Sequence, residues 1–146
     1  MDGKDFGLQT TETQTETLSA ERQITTQTAE SVLGEDGIVR VRMLPGTKED
    51  LASAKATIAA LSELCDGGKR AVIVDMAGTL SATQDARRYY SSEHATDCMT
   101  ACAMLVGSPL SKVLGSFFLG LNKPRHPMRL FTSEPEAVSW LKGYQT

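Results

Sequence analysis

From residue 22 onward the apolar and polar positions fall into short, distinct rhythms. The run 24–33 (ITTQTAESVL) and the run 38–44 (IVRVRML) flank Gly34-Glu35-Asp36-Gly37, which reads as strand, turn, strand. Pro45-Gly46 ends the second strand. Leu51, Ala54, Ile58, Leu61 and Cys65 then recur at spacings of three and four, the stripe of an amphipathic helix. Thr47 is its expected N-cap, with Asp50 at the third helical position, and Gly67-Gly68 its stop.

Two runs are apolar at consecutive positions, 71–74 (AVIV) and 103–106 (AMLV). Strands of that kind sit inside parallel sheets, covered on both faces. Ser81 with Gln84 predicts a capped helix reaching about His94. Gly107-Ser108-Pro109 predicts a turn, a cap and a first-turn proline before a helix over 109–121. A short strand over 128–132 follows, and Ser133 with Glu136 caps a last helix bearing Ala137, Val138, Trp140 and Leu141. The predicted order is β-β-α-β-α-β-α-β-α: an α/β fold with a mostly parallel sheet, right-handed crossovers and an antiparallel N-terminal edge hairpin.

Composition narrows the class. At 146 residues, 40% apolar and 23% charged, the chain suits one globular domain. Residues 1–21, rich in Thr, Gln and Glu, bury too little apolar surface to offset ordering and are expected to form a polar tail, leaving 22–146 as the domain. No apolar run is long enough for a bilayer crossing, and no signal-peptide core is visible. Three cysteines cannot all pair within one chain, which favours reduced thiols and a cytoplasmic setting. Fifteen basic against eighteen acidic residues give a net charge of −3, which argues against nucleic acid as a partner.

The segments VIVDMAGTLSATQDARRYY and LVGSPLSKVLGSFFLGLNKP, with FTSEPEAVSWL near the end, resemble the STAS-like superfamily of anti-sigma-factor antagonists of the SpoIIAA type. They are still more similar to a group of small bacterial STAS-like proteins without an assigned role. The resemblance spans 22–143. It implies a SpoIIAA-like fold, a non-enzymatic regulatory role and a protein partner of the kinase or regulator kind. In the antagonists, a serine at the start of the helix after the third strand is phosphorylated. The resemblance puts Ser81 or Thr83 near that position, with Asp85 as a standing negative charge beside it. The antagonists' Asp-Ser-Ser-Gly is absent here, so the location carries over and the switch does not.

Several residues have a plain structural reading beside a functional one. Asp75 ends a buried strand, at the edge where open α/β sheets place ligands, but with no partner predictable from spacing it suits capping of the next turn better. Ser81 and Ser108 precede expected helices, so each either caps its helix or helps to bind an anion. His94, Cys98 and Cys102 have helical spacing but no fourth ligand, and no metal or cofactor is expected. Arg87-Arg88-Tyr89-Tyr90 reads as solvated arginines with one tyrosine in the core and the other at its rim. Lys123, Arg125 and His126, with Arg129 nearby, form a basic cluster that suits either the end of a helix or an anionic partner. On helix 109–121, Val113, Phe118 and Leu119 extend the apolar arc beyond one stripe. That surplus needs a second surface, from neighbouring elements or from a second copy in a homodimer. The competing functional reading is a carrier or sensor of a small or lipid-like molecule, with an apolar pocket beside that helix.

Overall fold

The computed structural model describes residues 22–107, 113 and 126–145. The expected tail and all of helix 109–121 except Val113 lie outside these residues. The described elements are β1 (Gln23–Thr25), β2 (Ala29–Leu33), β3 (Val39–Met43), β4 (Thr47–Glu49), α1 (Leu51–Cys65), β5 (Arg70–Asp75), β6 (Thr79–Ala82), α2 (Gln84–Tyr90), α3 (Glu93–Thr96), β7 (Met99–Leu105), β8 (Met128–Phe131) and α4 (Glu134–Leu141), with a 3-10 turn at Lys142–Tyr144.

Among the described residues, six strands form the main sheet in the order β1-β2-β3-β5-β7-β8. β1, β2 and β3 are antiparallel neighbours, and every pairing from β3 to β8 is parallel. The two continuous apolar runs lie side by side and point the same way, with Val72 opposite Cys102 and Val74 opposite Met104. β5 lies between β3 and β7, which is why its apolar residues face both ways. The expected antiparallel edge hairpin is present as β2–β3, and β1 extends it by a third antiparallel strand. Thr26 breaks the run 24–33: its backbone N–H donates to Ala29 O (2.8 Å) and its hydroxyl accepts from Ala29 N (3.1 Å).

Side-chain alternation divides the core. Val39, Val41, Val72, Cys102 and Met104 face α1, where Ile58, Leu61 and Leu64 meet them. Ile38, Ala71, Ile73, Ala101 and Ala103 face α4 and pack against Ala137 and Leu141. Three alanines on that second face let α4 lie close, and Trp140 stacks between Phe131 (5.5 Å) and Tyr144 (5.0 Å). Each fully buried Leu or Ile contributes about 1.5–3 kcal/mol.

Two expected caps are replaced. Thr47–Glu49 is a strand, paired in parallel with Thr79–Ala82 in a separate two-stranded sheet. Asp50, not Thr47, caps α1: Asp50 Oδ1 accepts from Ser53 N and Ser53 Oγ accepts from Asp50 N, both at 2.9 Å. Ser81 lies in β6, so α2 starts at Thr83, whose hydroxyl accepts from Ala86 N (3.1 Å). One cause accounts for both shifts, because the β4–β6 ladder takes the backbone that would otherwise form the first helical turns. The expected helix to His94 is two helices. Ser91 Oγ donates to Arg87 O and Arg88 O, closing α2, and Ser92 caps α3. At the end of α1, Asp66 takes the left-handed conformation (φ 53°) ahead of Gly67.

Candidate functional site

Beneath β4 and β6 lies a cavity of about 70 Å³ on the α1 face of the sheet. All five methionines after Met1 (Met43, Met76, Met99, Met104 and Met128) line it. Cys102 joins them from β7, Ile58 and Leu61 from α1, and Tyr90 and Ser91 from the end of α2. Methionine is flexible and polarizable, so such a wall repacks around different shapes.

Among the polar residues of this wall (Glu49, Thr57, Thr79, Tyr90 and Ser91), Glu49 is the acidic one. Alternation along β4 turns its side chain inward, and the residue is only 3% exposed. Tyr90 donates its hydroxyl to Glu49 Oε1 at 2.5 Å. Burial, reinforced by the facing Glu49, pushes the Tyr90 hydroxyl well above its ordinary 10.0, so it remains a donor. Glu49 Oε2 is buried and has no hydrogen-bond partner among the described residues. Glu49 also accepts from Thr83 N through its backbone carbonyl (3.0 Å), so both ends of α2 are tied to this one residue.

The 76–79 turn completes the wall. A Cβ on Gly78 would lie 2.6 Å from the carbonyl oxygens of both Met43 and Leu44, so only glycine permits this approach. Gly78 O in turn accepts from Gly46 N (2.8 Å) and Thr47 N (3.2 Å).

The residues singled out in the sequence are dispersed. Asp75 ends β5, and its Oδ1 accepts from Ala77 N at 3.0 Å, which caps the turn. Ser81, Thr83 and Asp85 form one exposed stretch from β6 into α2, next to Leu80, which is 49% exposed. Among the described residues, no hydrogen bond or ion pair joins Asp75 to that stretch. Val113 is helical and 64% exposed. Ser108, Phe118, Leu119, Lys123 and Arg125 lie outside the described residues.

His126 corrects one expectation. It is 8% exposed, with Nδ1 3.1 Å from Pro127 O, and burial lowers its pKa below the ordinary 6.5. It is therefore buried rather than displayed on a basic surface. Arg129 is exposed and lies over the Phe131 ring (5.2 Å). His94, Cys98 and Cys102 fall on α3, on the segment before β7 and within β7, so their helical spacing is not realised. Tyr89 and Tyr90 both pack against the core.

Glu49 and the methionines were not visible as a site. Glu49 read as part of a helix start, and the methionines are scattered along the chain. Met43, Met76, Met104 and Met128 fall within or beside expected strands, whereas Met99 joins one only in the folded sheet.

The fold is SpoIIAA-like. A protein of the DUF3478 family from Shewanella loihica PV-4, described as uncharacterized with a SpoIIAA-like fold, superposes with a TM-score of 0.55 at 12% identity, over 84% of this chain and 92% of its own. At the level of sequence family, the chain belongs to the domain of unknown function DUF7793, which matches residues 32–145. A protein of unknown function from Arthrobacter sp. FB24 is 34% identical over 77% of this chain and 97% of its own, with a TM-score of 0.31. No curated protein matches the chain. Among the described residues, no helix is long and apolar enough to cross a membrane.

Proposed function

We propose that the protein is a non-enzymatic, SpoIIAA-like binding domain that holds a small apolar molecule against its sheet. The methionine-lined cavity carries this reading. Its volume is about half of the ~150 Å³ of an engineered apolar cavity that binds benzene. The resting cavity thus takes a fragment smaller than such a ring, and a ring enters once one or two methionines rotate. The wall is built from flexible side chains that can do so. The test is titration of the protein, labelled with ¹³C at the methionine methyls, with benzene and phenol. Saturable shifts of cavity methyls are expected. Methyl signals that stay fixed at the solubility limit of both compounds would refute the reading.

A second reading, docking of a protein partner, is favoured by the exposed Leu80 beside Ser81, Thr83 and Asp85. A phosphate added at Ser81 or Thr83 would change the charge of this edge by about −2. The two readings meet at Glu49, which lines the cavity and holds the start of α2 through Thr83 N. A partner captured by the wild type and lost on Leu80→Asp, with the fold intact, would establish the docking role.

A further inference from the structure

We infer that the cavity is selective for an apolar molecule carrying one hydrogen-bond donor, such as a hydroxyl, and that Glu49 Oε2 receives it. The inference rests on the ligand-binding reading above and names the chemistry of the ligand.

Glu49 lines the cavity from β4 and is almost fully buried. One of its oxygens is committed to the Tyr90 hydroxyl, whereas the other is buried and unpartnered among the described residues. A carboxyl oxygen shielded from water and left without a donor is costly, and native structures rarely retain one without a use. Thr79 Oγ1, on the same wall, is also buried without a partner. Thr57 and Ser91 also line the cavity, and the remaining lining residues, among them the five methionines, Cys102 and Val74, are apolar. A ligand that fits therefore has a mainly hydrocarbon body with a polar point placed at Glu49. The polar point must donate, because a carboxylate offers only acceptors and Tyr90 already donates to the same group. An ether or ketone of the same shape would set oxygen against oxygen. A hydrocarbon would leave Oε2 as orphaned as before.

The experiment compares phenol, benzene and anisole as probes on the full-length protein, read by the methionine methyl signals. In the wild type, phenol should bind about tenfold more tightly than benzene, as expected for one charge-assisted hydrogen bond, and anisole should bind no better than benzene. Glu49→Gln preserves shape and still accepts from Tyr90, but it can present an N–H where Oε2 stood. It should shrink the phenol preference to within about threefold and improve anisole binding relative to the wild type. Equal binding of phenol and benzene by the wild type would overturn the donor inference and leave the cavity reading intact. A phenol preference unchanged in Glu49→Gln would also overturn it, because the donor would then be received elsewhere. Failure of every probe to shift any methyl would instead overturn the ligand-binding reading. The wild-type comparison does not depend on any variant folding.

Discussion

Replacing Tyr90 by Phe tests the energetics of the site before any ligand is known. The ring and its packing against the α1-face core remain, and only the hydroxyl is lost. That hydroxyl is the hydrogen-bond partner of Glu49 Oε1, while Oε2 has none among the described residues, so Tyr90→Phe leaves a 3%-exposed carboxyl without a described partner. Hydrogen bonds to charged groups contribute about 1.5–3 kcal/mol, and orphaning a buried polar group costs on a similar scale. The expected loss is therefore about 2–3 kcal/mol, a sizeable share of the ~5–15 kcal/mol by which domains are stable. Urea unfolding with an unchanged m-value measures it, and the melting temperature should fall by about 5–10 °C. Glu49→Leu with Tyr90→Phe replaces both polar partners by apolar groups, a change that is often close to neutral. The double variant should recover about 1–3 kcal/mol relative to Tyr90→Phe alone. A Tyr90→Phe loss under about 0.5 kcal/mol, or a double variant whose loss equals the sum of the two singles, would refute the reasoning.

Three further outcomes follow from the same geometry. Gly78→Ala should cost about 1–3 kcal/mol, because its Cβ would meet two backbone carbonyls at 2.6 Å that cannot turn aside; thermal melts beside Gly46→Ala, where a Cβ has open space, separate this clash from backbone strain at positive φ. Because burial lowers the pKa of His126 in the folded state, the unfolded chain binds its proton first. Stability should therefore fall as pH drops below about 6.5, and His126→Gln should flatten that slope between pH 7.5 and 5.5 in urea midpoints; Asp36, held low by Arg40, acts only below its ordinary 3.8. Hydrogen bonding from the Cys65 thiol draws Cys98 below its ordinary 9.0, while Cys65 itself is raised and burial pushes Cys102 up to about 12. Iodoacetamide at pH 8 should label Cys98 first by mass spectrometry, and Cys65→Ala should slow that labelling.

What could be read from the chain itself was whatever local spacing and two-faced burial determine. The paired runs at 71–74 and 103–106 are apolar at every position because β5 and β7 are covered on both faces, and that alone implies a parallel interior. The stripe of α1 and the Ser133 cap of α4 follow from the helical period and from backbone N–H groups that must find acceptors. Tertiary structure decided the rest wherever a polar segment was captured by a distant one. Thr47–Glu49 and Thr79–Ala82 each resemble helix starts in isolation and become strands only because they pair with each other across 32 residues or more. That pairing moves the caps to Asp50 and Thr83 and turns Glu49 inward. Five scattered methionines become one wall in the same way, since parallel register brings residues 43, 76, 99, 104 and 128 together. Periodicity reports which face a residue shows, but only the assembled sheet determines which other residues share it.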